Sequence, residues 1–139
     1  MAAFNKFEVH SEHLAEKVHN HDADLEKIYF SNTAPNAATN TVKADLAEIA
    51  GGNGYTATGL DTQNTTSRTG GVTSVIGVDV VVTAAGGSIG PFRYVVLYND
   101  TPTSPADPLI GWWDYGSSIT LLDTETMTTD FGASMFTVT

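Results

Sequence analysis

Trp112 and Trp113 stand side by side in Leu109–Tyr115, a stretch that reads as a β-strand. In an extended strand, neighbouring side chains point to opposite faces. One tryptophan can face a sandwich core. The other needs a second cover, which could be an N-terminal helix, a loop or another chain. Phe92–Asn99 sets the same condition: Phe92, Tyr94, Val96 and Tyr98 alternate with Arg93, Val95 and Leu97, so both faces are apolar. A strand pair of this kind left open on one side would be an aggregation surface.

The remaining chain supplies the elements that could close those faces. Phe4–His19 reads as a helix, part of a helical segment spanning 4–20, with Phe4, Phe7, Leu14 and Val18 near the 3.6 period and Ser11 as a possible cap. Leu25–Asn32 reads as a strand, Asn32–Asn36 as a turn, and Val42–Ala50 as a short helical piece stopped by Gly51-Gly52-Asn53-Gly54. Thr56–Arg68 is a weak strand or edge loop. Val72–Ala84 is the strongest strand signal, with Val78, Val80 and Val82 alternating with Asp79, Val81 and Thr83. Asp100–Pro108 holds three of the five prolines and cannot pair inside a sheet. Leu109–Tyr115, Ser118–Leu122 and Met135–Val138 complete the short strands. The pattern predicts a mainly-β single domain over 1–139, a β-sandwich or jelly-roll-like arrangement with the N-terminal helix.

Charge and residue chemistry narrow the function classes. The 139 residues carry 6 basic and 16 acidic side chains, a formal charge of −10. So few cations argue against direct nucleic-acid binding, which needs phosphate neutralisation. No apolar run approaches the roughly 20 residues that span a bilayer. There is no cysteine, so disulfides, thiolate catalysis and Cys-ligated zinc are excluded. The N-terminus lacks a basic stretch followed by an apolar run, and the expectation is folding in a cytoplasm.

Three constellations could carry chemistry. His10, His13, His19 and His21 cluster early, and Asp22 or Asp24 could add a metal ligand, but the local order His10-Ser11-Glu12-His13 is not H-E-x-x-H. The expectation is a solvated helix face, with no metal and no cofactor. Asp22 with Asp24, and Asp123 with Glu125, could be paired carboxylates, but both sit in turn-like contexts where Asp bonds its own backbone. No Gly-x-Ser-x-Gly elbow or phosphate loop is present. Arg93, a lone cation in an apolar strand, is expected to pair structurally with Asp114 or Asp79. Nothing here supports an enzyme.

The blocks Gly90-Pro91-Phe92-Arg93-Tyr94 and Gly111-Trp112-Trp113-Asp114-Tyr115-Gly116 are unusual. Together with Asn53-Gly54-Tyr55-Thr56-Ala57 and Leu14-Ala15-Glu16-Lys17-Val18-His19-Asn20, they give the chain a likeness covering most of its length. It resembles a family of small structural virion proteins of tailed bacteriophages. The resemblance implies a capsid decoration, or cement, protein on the outer capsid surface, made in the host cytoplasm. Its partner would be the major capsid protein, and it would itself be a homodimer or homotrimer. Trp112, Trp113, Tyr115, Val95, Leu97, Phe4 and Phe7 are the interface candidates. The alternative is a tail fibre or baseplate component with a glycan- or receptor-binding β domain, its sugar platform built from a tryptophan, Tyr115 and the Pro102–Pro108 loop.

Overall fold

The computed structural model describes residues 2–139. In chain order its elements are β1 (Phe4–Lys6), α1 (Val9–Ala15), β2 (Glu26–Ser31), a 3₁₀ turn (Lys43–Asp45), β3 (Leu60–Asp61), β4 (Thr65–Thr69), β5 (Val72–Ile76), β6 (Val80–Thr83), β7 (Ile89–Asn99), β8 (Leu109–Leu121), β9 (Thr126–Thr129) and β10 (Phe136–Val138). The fold is mainly β, and every strand pair is antiparallel. A five-stranded sheet runs β1-β8-β7-β2-β3, beside a three-stranded sheet β10-β5-β4 and the pair β6-β9.

The large sheet is buried on both sides. One face carries Ile28, Phe30, Val95, Leu97 and Trp113. These pack against Val75 and Phe136 of the three-stranded sheet, Val80 and Val82 of the pair, and Phe131 and Met135 of the C-terminal turn, in a sandwich-like core. The other face carries Tyr29, Tyr94, Val96, Tyr98 and Leu109, covered by Phe7, Val9 and Leu46. The second cover that the adjacent tryptophans require is thus supplied within the chain, by the N-terminal segment and the 3₁₀ region.

The N-terminal helix is much shorter than its apolar spacing predicts. Phe4-Asn5-Lys6 is extended instead and pairs with Trp113, Trp112 and Gly111 at the sheet edge. Phe7 then turns inward, its N–H bonded to the Ile110 carbonyl at 3.1 Å. The helix ends where Lys17 takes a left-handed φ of 61°. The Val18 N–H reaches the His13 carbonyl and the Lys17 N–H the Leu14 carbonyl, a Schellman closure. Ser11 does not cap the helix; it lies inside it and donates to the Glu8 carbonyl.

Four other expectations are corrected. Val42–Ala50 forms only the 3₁₀ turn, because the Asp45 carboxylate accepts the Thr41 and Val42 N–H groups while the Ile49 N–H turns to the Phe30 carbonyl. Val72–Ala84 is two strands, broken where the Val78 N–H bonds the Thr62 carbonyl and Asp79 accepts the Phe131 N–H. Leu109–Tyr115 and Ser118–Leu122 are one strand, β8. The face assignment of Phe92 is also reversed. The ladder jumps from Phe92↔Ile119 to Tyr94↔Asp114, so residues 115–118 bulge out of β8, with Gly116 at φ 101°. Beyond that irregularity Phe92 packs with Val95 and Leu97 rather than with Tyr94.

Candidate functional site

The two blocks that carry the family resemblance lie side by side. Tyr94 faces Asp114, Val95 faces Trp113 and Val96 faces Trp112 across β7 and β8. Arg93 forks onto Asp114, Nε to Oδ1 at 2.8 Å and Nη2 to Oδ2 at 3.0 Å. The guanidinium, with a second hydrogen bond from the Gly116 N–H, holds the Asp114 carboxyl below its usual range. The pair braces the base of the 115–118 bulge, from which Tyr115 projects 57% exposed. Beneath it lies an open groove of about 310 Å³ lined by Val95, Trp113, Tyr115, Met127 and Asp130.

Most of the interface candidates are not on the surface. Phe7, Leu97, Val95 and Trp113 are buried in the chain's own cores. Phe4 is half-buried, stacked on Phe136 at 5.0 Å and edge-on to Trp113. Trp112 is half-buried against Phe7 at 4.6 Å. The four buried residues are a correction: alternation left the covers of the sheet faces open, and the chain itself supplies them, with Phe7 as part of one cover. Tyr115 alone of the seven stands free, because it sits in the bulge. A joint sugar platform of Trp112 and Tyr115 does not form, since the two point to opposite faces of β8. The acidic pairs are engaged locally: Asp22 with Thr66, Asp24 with the Asn20 N–H and Asn99, Asp123 with the Gly86 N–H, Glu125 with the Leu122 N–H.

The four histidines also depart from expectation. They are not a solvated helix face: His10, His13, His19 and His21 are all at least nine-tenths buried. The chain turns back after α1 and stacks the His19 and His21 rings, centroids 5.0 Å apart, beside His10. His10 Nε2 and His21 Nε2 lie 3.0 Å apart. A hydrogen bond joins His21 Nδ1 to Glu26 Oε1, and His19 Nδ1 accepts from the Asn99 amide at 3.1 Å. His13 Nδ1, His19 Nε2 and Glu26 Oε2 are buried without a hydrogen-bond partner. Burial, followed by the neighbouring His21, lowers His10 and His19 to about 3, so both rings are neutral at physiological pH. Burial raises Glu26 against the opposing hydrogen bond from His21.

Glu26 and Asn99 are the members of this cluster that sequence patterning passes over. Each stands at the end of an apolar strand, and the two are paired across β2 and β7. The available signal was a carboxylate two residues before the apolar run Ile28-Tyr29-Phe30 of β2.

Comparison of the chain with family models, with curated proteins and with solved structures finds no match. Among the described residues no helix is long and apolar enough to cross a membrane.

Proposed function

We propose that the chain is a non-enzymatic structural protein of a tailed-bacteriophage virion, which decorates the outer capsid surface and cements it by bridging subunits of the major capsid protein. One observation carries this reading: the 115–118 bulge, inside the block on which the family resemblance rests, pushes Tyr115 out of a sheet that is otherwise closed on both faces. An exposed tyrosine beside a braced arginine and an apolar groove has the composition of a protein–protein hot spot. A sheet with two packed faces is a stiff support for such a contact, so little order is lost on binding. A homodimer or homotrimer would present several copies of the bulge at once and gain by multivalency. A protein that binds only the assembled lattice stabilises it by mass action.

The test is location. Gold-labelled or tagged chain should appear over the head of the virion, and added chain should bind saturably to capsids that lack it and raise their thermal rupture temperature. Tyr115→Ala should weaken that binding at least tenfold with the fold intact. Labelling confined to the tail would overturn the proposal in favour of a tail fibre or baseplate role.

A further inference from the structure

The histidine cluster has no part in the bulge contact, and its geometry asks for a ligand. We infer that His10 and His21 form the fixed half of a binding site for one divalent first-row transition ion of the zinc type, with His13 or water completing the coordination.

The first support is distance. Two imidazole nitrogens each about 2.05 Å from one ion lie about 2.9 Å apart at a right angle and about 3.3 Å apart at the tetrahedral angle. The His10 and His21 Nε2 atoms, at 3.0 Å, fall between these values. A neutral N–H···N bond satisfies the same separation, so distance alone does not decide.

The second support is what surrounds that pair. His21 is oriented through Nδ1 by the fully buried Glu26, which leaves its Nε2 lone pair free; this is the carboxylate–histidine arrangement that positions metal-bound imidazoles. Both rings are wedged edge-on against Phe136, at 5.5 and 5.1 Å, which fixes their planes. Two further ring nitrogens, on His13 and His19, and the second Glu26 oxygen are buried without a hydrogen-bond partner. Leaving three such atoms unpaired costs roughly 1–3 kcal/mol each. A cation between His10 and His21 would offset the part of that cost carried by the Glu26 carboxylate and offer His13 Nδ1 a partner, which the hydrogen-bonded pair alone does not.

Among the described residues no group of three or more His, Asp or Glu side chains is placed to hold a metal ion, so His10 and His21 are a two-donor half that a third donor has to complete. Neutral His19 keeps its proton on Nε2 while Nδ1 accepts from the Asn99 amide, and that amide is fixed by donating to Asp24 and accepting from the Thr101 N–H, so the third position fills by rotation of His13 or by water. Entry is open on two sides. One cleft is lined by Leu14, His19, His21 and Thr66, the other by Lys6, His10 and Phe136. Imidazole donors without thiolates suit zinc, copper, nickel or cobalt and do not suit calcium or magnesium. Such an ion would tie α1 and its return turn to β2, a structural role.

The test uses the full chain stripped with a chelator and titrated with zinc chloride by calorimetry. One equivalent should bind, His10→Gln and His21→Gln should each weaken it at least tenfold, and Glu26→Gln should weaken it about 10–100-fold through the orienting hydrogen bond. Because these side chains are buried and a variant could fail to fold, the wild type is also followed by long-range ¹H–¹⁵N spectra, where zinc should shift the Nε2 resonances of both His10 and His21. Unshifted signals at excess zinc, or unweakened binding in a folded His10→Gln chain, would overturn the assignment.

Discussion

Burying four histidines makes individual side chains answer to acid. Unfolded, His10 and His19 take up protons near pH 6.5; folded, only near 3. Between those values the unfolded chain binds more protons, so stability falls as pH falls. Glu26 acts in the opposite sense: its raised value lets the fold gain as pH drops toward the ordinary 4.5, with no further gain below it. His13, His21, Lys6 and Asp24 are the other titratable groups around these rings. From pH 4.5 to 3 the loss from the two histidines is unopposed by Glu26, at up to about 2.7 kcal/mol per pH unit for two protons. Urea midpoints of metal-free protein should therefore fall faster with acid than those of a His10→Gln/His19→Gln chain; parallel slopes would refute this. The individual histidines were visible in the sequence, but their convergence was not. It depends on a left-handed Lys17 and on Glu26 and Asn99 meeting across two strands, and neither leaves a periodic trace.

At the level of elements, the sheet interior was legible and its rims were not. β2, β7 and β10 follow from short runs of large apolar and aromatic side chains, because strands packed in a sheet interior select them directly. Phe4 and Phe7 match a helical spacing, yet edge pairing with β8 makes Phe4–Lys6 the strand β1. β9 is mostly threonine and gives no signal without its partner β6. The β1 edge yields a local prediction. A Cβ at Gly111 would lie 2.2 Å from the Phe4 ring and 2.5 Å from the Asn5 carbonyl. Gly111→Ala should therefore peel β1 away, speeding hydrogen exchange at Phe4–Lys6 more than tenfold while the central β2–β7 amides keep their protection. Uniform loss of protection across the sheet would show that β1 is not separable.

For the whole molecule, a charge of −10 on a sandwich-like body sets two kinds of contact against each other, long-range electrostatics and the exposed Tyr115 bulge. If acidic groups guide the chain to basic patches on a capsid, affinity should fall as ionic strength rises. Co-sedimentation with capsids across a salt series measures this, and salt-insensitive binding would assign the contact to Tyr115 and its groove. The mainly-β class was legible from Gly and Pro punctuation, whereas the internal covering of both sheet faces was not, since alternation reports that a face is apolar and not what lies on it. That covering also divides the two tryptophans. Trp113 belongs to the core between the sheets and Trp112 to the layer under the N-terminal segment. Replacing either by phenylalanine leaves a single fluorophore in one layer, so the emission of two such chains during denaturation would time the loosening of each layer separately.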